Sequence, residues 1–378
     1  MELTKCKLGE LITQRREKND GSDLPICGVS KDGLIPPKQK DADTSIYNVF
    51  YRDDFIFNPA RMELNSIAIN DMYDRAICSS LYEVFYVHRT DLLLPHYLKL
   101  IIRQKWFTRY CEFLGQGSAR EYCRFGNISE IEIEFPPIEE QQKIVDYNTA
   151  IENRIALKQK INDNLANIEQ LILHQAISKN QTVPLSLNEI AEFIDGDRGK
   201  NYPTFDEFST SGFCLFLNAS NVTSSGFNFY SCMFVTEEKD KIMRNGHLLL
   251  NDIVFTSRGT LGNVALYDKN IKYKNVRINS GMLIIRPKKI NLFPYFIYAL
   301  LKSNYMKSAI EQFRSGSAQP QLPIKDLQNI TFDIPESQNV LNDLEHRFFK
   351  IEETISINKR EIGNLNELAS ILLARLSR

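Results

Sequence analysis

Two stretches of the chain carry the hydrophobic spacing of long helices. In the second, Ile351, Ile355, Ile362, Leu365, Ala369, Leu372 and Leu376 fall on heptad steps. In the first, Ile151, Ile155, Asn162, Leu165, Glu169, Ile172 and Ala176 occupy the same steps. Residues 139–178 contain no proline or glycine, and residues 336–378 contain one glycine, Gly363. Sustained spacing of this kind, with polar breaks such as Asn358, predicts a two-stranded coiled coil. A long connection lets the two helices pair antiparallel about an approximate twofold axis. At ~1.5 Å per residue, about 36 residues make a rod on the order of 50 Å. The residues expected at the helix–helix or partner interface are Ile151, Ile155, Leu165 and Ile172, with Ile351, Ile355, Ile362, Leu365 and Leu372. A second stripe, Leu157, Ile161, Ile168 and Leu171 with Ile357, Leu368 and Ile371, predicts that each helix packs on more than one neighbour.

The chain before each helix is patterned differently. Asn251–Tyr267 holds two β-branched and aromatic runs around Arg-Gly-Thr-Leu-Gly. Ile278–Pro287 is a further strand, and Ile128–Pro137 alternates with period two. Pro294–Phe313 opens with proline at a first turn and reads as one amphipathic helix. Its counterpart is PHYLKLIIRQKWFTRYCEF, from Pro95. Each half is therefore an α+β domain followed by a long helix.

The halves are copies. Arg52–Arg61 faces Leu250–Arg258, and Pro95-His96-Tyr97-Leu98 faces Pro294-Tyr295-Phe296-Ile297. Gly117-Ser118-Ala119 faces Gly316-Ser317-Ala318, and Ile151–Leu165 faces Ile351–Leu365. A period of about 200 residues is a duplicated domain with its connector, not a solenoid. The expected organisation is a domain over 1–138, a helix over 139–180, a second domain over 181–335 and a second helix over 336–378.

Composition narrows the class. With 43% apolar and 25% charged residues, the chain suits a globular protein with a sizeable core. Net charge is −1, which argues against nonspecific coating of nucleic acid but permits local basic faces. The two helix segments hold 10 Lys/Arg and 13 Asp/Glu, so they are no basic track for DNA. The N-terminus has no secretory pattern and no apolar run spans a bilayer, which points to a cytoplasmic protein without a membrane partner. Seven cysteines without a C-x-x-C pair fit reduced thiols, and neither they nor the five histidines have metal-ligand spacing.

Catalytic motifs are weak. Phe113–Gly117 (FLGQG) matches an S-adenosylmethionine string, but it follows a helix and its copy reads FRSGS. Phe57–Arg61 (FNPAR) lacks the proline and aromatic of an amino-methyltransferase motif. No catalytic residue is assigned. What recurs in both halves is polar and basic loops. The first half offers Arg15, Arg16, Asn58, Arg61, Ser118, Arg120 and Arg124. The second offers Arg198, Lys200, Asn218, Asn221, Ser257, Arg258, Thr260, Ser317, Gln319 and Gln321. Arg, Asn and Gln bond base edges bidentately, while Ser, Thr and Lys suit phosphates. These are the candidate DNA-binding residues.

Two domains each followed by a long helix, with FPPIEEQQKIVDYNTAIENRIALKQKI at the first junction and GSAQPQLPIKDLQNITFDIP at the second, resemble the specificity subunits of type I restriction-modification systems. The second junction departs in reading ESQNVLND where an EEQQ-like helix start is usual. The resemblance implies two target recognition domains, each reading one half of a bipartite, asymmetric sequence in double-stranded DNA. It implies an antiparallel coiled coil as spacer, with modification subunits docked beside it. Those subunits would hold S-adenosylmethionine, this chain would bind no cofactor, and restriction subunits would join where present. Two other readings are a coiled-coil adaptor that never touches DNA and a degenerate DNA methyltransferase.

Overall fold

The computed structural model describes residues 3–37, 43–115, 123–288, 293–314 and 322–375. The chain forms two compact units, 1–157 with 361–378, and 158–360.

In the first unit the strands are β1 (Thr4–Lys7), β2 (Ile12–Arg15), β3 (Ile26–Ser30), β4 (Gly33–Ile35), β5 (Asn48–Tyr51), β6 (Phe55–Phe57), β7 (Ile67–Ile69), β8 (Arg75–Cys78), β9 (Glu83–Val87) and β10 (Glu132–Phe135). The helices are α1 (Pro95–Ile102), α2 (Lys105–Gly115), α3 (Phe125–Ser129) and the start of α4 (Ile138–Lys179). A sheet of order β2-β9-β6-β7 lies between two layers. Its alternation decides which side chain faces which layer. Phe55, Phe57 and Phe85 join α1, α2 and α3 in one core. Ile56 and Val84 point the other way, onto the sheet β4-β3-β8-β5.

The second unit repeats this plan. Its strands are β11 (Thr182–Ser186), β12 (Ala191–Asp195), β13 (Cys214–Leu217), β14 (Val222–Thr223), β15 (Gly226–Phe227), β16 (Met233–Val235), β17 (Ile253–Thr256), β18 (Val264–Leu266), β19 (Val276–Ile278), β20 (Met282–Pro287) and β21 (Thr331–Pro335). Its helices are α5 (Leu187–Ile190), α6 (Glu237–Ile242), α7 (Pro294–Lys302), α8 (Asn304–Arg314), α9 (Ile324–Gln328) and α10 (Gln338–Arg375), which runs on into the first unit. The middle sheet is β12-β20-β17-β18, the counterpart of β2-β9-β6-β7. In the outer sheet β16-β13-β19, the place of β5 shrinks to one bridge, His247 to Arg277. Phe255 is fully buried on the helix side. A side chain of that kind contributes roughly 1.5–3 kcal/mol on burial.

A matching turn precedes β6 and β17. Asp53 and Asn251 take left-handed backbone, with φ of 66° and 74°. The next residue is a buried aspartate. Asp54 accepts from the Tyr51 amide at 2.8 Å, and Asp252 from the Leu249 amide at 2.7 Å. Each carboxylate also takes a guanidinium, from Arg15 (2.6 and 3.1 Å) and from Arg286 (2.7 and 2.7 Å). The repeated sequence RDDFIF and LNDIVF is thus one turn with one buried anion.

The long helices hold down the domain helices. Neither α1 nor α7 has a side-chain cap of its own. Instead Gln141 of α4 accepts from the Leu94 amide at 2.9 Å and donates to the carbonyls of Leu92 and Pro136. In the second unit Glu345 of α10 accepts from the Phe296 amide at 2.9 Å. Burial pushes the Glu345 carboxyl up to about 7 against these amides.

Each unit contains an antiparallel pair of long-helix segments. In the second, Lys158 and Asn162 both meet Asn358, at 3.0 and 2.8 Å, and Lys302 bridges Glu169 and Glu352. In the first, Arg154 bonds Glu361. Ile151 and Ile355 are buried, while Ile155, Leu165, Ile172, Ile351, Ile362, Leu365 and Leu372 are half-buried. The second stripe differs from expectation. Leu157, Ile161, Ile168, Leu171, Ile357, Leu368 and Ile371 are all exposed, so no neighbour in their own unit covers them.

The single helix expected over Pro294–Phe313 is two. Ser303 turns to extended backbone (ψ 156°), and its hydroxyl accepts from the Met306 amide at 3.1 Å, starting α8. Likewise Ile128–Ser129 ends α3 and only Glu132–Phe135 is strand. Among the described residues no helix is long and apolar enough to cross a membrane.

Candidate nucleic-acid interface

The sheet topology gathers the predicted loops at one edge of each unit. In the first unit this is where β2 ends, β9 begins and β6 ends, since Arg15 pairs with Val84 and Phe57 with Glu83. The segment after α2 returns there too, because the Cys123 amide donates to the Pro59 carbonyl at 3.3 Å. The second unit repeats the closure. Leu322, the residue after Gln321, donates its amide to the Ser257 carbonyl at 3.3 Å.

In the first unit a chain of polar contacts crosses the edge. Arg16 donates to Gln14 (2.8 Å), Gln14 to Glu83 (3.1 Å), and Arg124 to Glu83 (3.3 Å). Glu83 also accepts from the Phe125 amide at 2.7 Å, which fixes the entry to α3. Arg16, Arg61 and Arg124 are exposed. Asn58 caps the short 3-10 helix Pro59–Leu64 by accepting from the Ala60 amide at 3.1 Å.

In the second unit the loop after β12 is seated by close backbone packing. A Cβ on Gly196 would fall 2.2 Å from the Asn279 carbonyl oxygen, so only glycine fits. Asp197 then ties two loops together, accepting from the Arg198 and Arg244 amides, both at 2.8 Å. Arg277 is buried and binds Asp240 and the carbonyls of Asp240, Met243 and Asn245. It fixes the turn that presents Arg244. The exposed cations here are Arg198, Lys200, Arg244 and Arg258, with Thr260 beside them in sequence. Arg198 is bridged to Asp195 at 3.0 Å. Asn218 follows Leu217, which pairs with Ile278 just before the Asn279–Gly281 turn, so it sits one strand over. Its carbonyl oxygen caps Ser220.

Three predicted residues have another role. Arg15 is bidentate on buried Asp54, and its guanidinium lies between the rings of Tyr51 and Tyr86 at 4.7 and 4.6 Å. Asn221 is buried and spends its amide on the carbonyls of Asn228 and Ser231 and on the Asn218 amide. Ser257 is buried and donates to the Gly281 carbonyl at 3.1 Å. In all three the polar group is engaged within the chain. Ser118, Arg120, Ser317, Gln319 and Gln321 lie outside the described residues. Arg244 was not singled out from sequence, although the turn Arg-Asn-Gly was a signal for it. The Phe113–Gly117 string begins inside α2, and Gln116 and Gly117 lie outside the described residues.

Comparisons with known proteins agree with this architecture. The family model described as type I restriction modification DNA specificity domain matches residues 6–167 and again 181–367. The MjaIX specificity subunit of Methanocaldococcus jannaschii is 22% identical over 303 residues, 76% of this chain and 69% of that one. The EcoBI specificity subunit of Escherichia coli is 24% identical over 147 residues, 38% of this chain and 30% of that one. The crystal structure of the S subunit of a type I restriction-modification system from M. genitalium shares the fold. It is 17% identical, covers 99% of this chain and 96% of that chain, and superposes with a TM-score of 0.65. The twofold match over nearly the whole length shows that the chain belongs to the type I restriction modification DNA specificity family.

Proposed function

We propose that this chain is the DNA-reading subunit of a type I restriction-modification complex, with each unit reading one half of a split target. The observation that carries this is the repeated edge. One sheet scaffold twice delivers the ends of β2 and β12, β6 and β17, and the returning segment to one place. The side chains presented there differ between units, Arg16, Arg61 and Arg124 against Arg198, Lys200, Arg244 and Arg258. Different contacts on one scaffold predict different half-sites, hence an asymmetric target.

The chain supplies recognition and no chemistry. The S-adenosylmethionine and the methyl transfer to adenine belong to modification subunits. Those subunits dock along the long helices, where the exposed stripe of Ile161, Ile168 and Leu171 offers apolar surface. A restriction subunit joins where the system has one. The antiparallel helix pairs set the spacing of the half-sites. The domain assignment follows from this: recognition in 1–138 and 181–335, spacing and docking in 139–180 and 336–378. The adaptor reading leaves the repeated cationic edge without a task.

The test is point substitution at the edge within the complex. Arg258→Ala and Gln321→Ala should change which sequence is methylated, and Arg244→Ala should do the same or weaken binding in the second half-site only. Equal methylation of wild-type sites by all variants would refute the placement of the interface.

A further inference from the structure

The two units differ most where their cores meet the long helices. In the second unit Phe348 of α10 is fully buried and stacks on Phe296 of α7, with centroids 6.5 Å apart. Leu173 of α4 and Leu344 join the same core. The corresponding positions of the first unit, some 200 residues away, are Asn148, Tyr97, Leu373 and Ile144. There a groove of about 590 Å³ is lined by those residues with Leu100, Ile101 and Leu372, Asn148 and Tyr97 being buried themselves. That lies within the roughly 300–1,000 Å³ of ligand clefts. Its mouth carries Tyr147, 63% exposed, and Trp106, 36% exposed. Its rim carries Glu132, Glu134 and Glu140 against the single ammonium of Lys5. Lys5 is shared by Glu132 and Glu134 at 3.2 and 3.7 Å, and Glu140 bonds Lys143 outside the lining.

We infer that this groove is a docking site for a partner protein's basic amphipathic helix bearing an aromatic anchor. The second unit shows what fills the space: a phenyl group stacked on the ring of the α1/α7 position. The surplus of carboxylates selects lysine or arginine beside the anchor, and Tyr147 and Trp106 offer ring faces for such cations. Helix in groove is the mode that matches walls made of α1, α4 and α10. Among the described residues the second unit's own Phe348 takes the matching place, so the partner is expected on the first unit. The site does not depend on DNA reading, and its failure would leave that proposal standing.

Trp106 is the only tryptophan in the chain and lines the groove, so its emission reports occupancy. The full chain is titrated with a tryptophan-free helical peptide carrying Phe and Leu on one face and Lys on the other. A matched peptide with Glu for Lys is the control. The expected result is a saturable shift of Trp106 emission by the Lys peptide and none by the Glu peptide. Asn148→Phe, which imports the second unit's filling, should weaken binding at least tenfold while keeping or raising Tm. If that variant does not fold, Tyr147→Arg, the residue at the exposed equivalent Arg347, should weaken it in the same direction. An absent shift, an equal shift with the Glu peptide, or unchanged binding in a folded variant overturns the proposal. A saturable shift by duplex DNA instead would assign the groove to nucleic acid and overturn it as well.

Discussion

Replacing Lys302 with methionine removes the cation that bridges Glu169 and Glu352 in a buried seam of the second unit. Lys302 Nζ lies 2.7 Å from Glu169 and 2.5 Å from Glu352, and 4.6 Å from the centroid of Tyr298. The Glu169 side chain is fully buried, that of Glu352 is 11% exposed and that of Lys302 is 19% exposed. Breaking a buried pair by removing one partner costs about 3–5 kcal/mol, because the other charge is left unpaired. Lys302 keeps some water, so the lower end, about 3 kcal/mol, is expected. For a unit of this size that corresponds to a fall in Tm of roughly 6–12 °C.

The seam is also sensitive to pH. Burial pushes the Glu169 carboxyl up to about 7 even beside Lys302, and Glu352 adds to the rise. A raised carboxyl contributes stability that is complete below its unfolded value and lost as pH rises through the folded one. In Lys302→Met the Glu169 carboxyl loses its cation and rises further, so the variant's deficit should widen as pH rises above about 7. Adding Glu169→Ala should recover most of the loss. The first unit does without the second carboxylate: Ala369 stands at the position matching Glu169, and Arg103 meets Glu152 alone at 2.8 Å. Far-UV circular dichroism in urea follows the transition, while Trp106 fluorescence reports the first unit alone. A loss below about 1 kcal/mol, a deficit unchanged with pH, or no recovery in the double variant would refute the account.

Three further outcomes follow from the contacts described. Asp252→Ala strips the Arg286 guanidinium and the Leu249 amide of their acceptor and should cost about 2–4 kcal/mol, while methylated sequences stay unchanged; thermal melts and methylation mapping check the two halves. Lys200→Ala should weaken binding to all sequences alike and lower the salt slope by about 1, read from Kd against salt on specific and random duplexes. Replacing both Asn162 and Asn358 with leucine should raise stability yet loosen helix register, seen as higher Tm with mixed oligomers in light scattering.

The parts of this molecule that were legible in the sequence are those whose partners repeat at fixed spacing. Heptad steps located Ile151 and Ile355, and the period of about 200 residues exposed the duplication. What the sequence concealed is pairing across long separations. Nothing near Arg15 says that its guanidinium belongs to Asp54, 39 residues on, or that Asn221 turns inward to Ser231. Loop arginines and asparagines look alike whether they serve a turn or a duplex. The groove was invisible for a related reason, since Asn148 against Phe348 reads as surface drift until Phe348 is seen filling a core. Ser303 hid in a run of helix formers, although serine at a helix start is a known cap.

A specificity subunit decides which DNA sequence is modified. Co-expression with its own modification subunit, followed by genome-wide mapping of methylated adenine, tests it most directly, with the modification subunit alone as control. The expected result is a split, asymmetric motif that appears only when this chain is present and whose second half changes with Arg258→Ala. A motif present without this chain, or no new methylation from a stable complex, would contradict it.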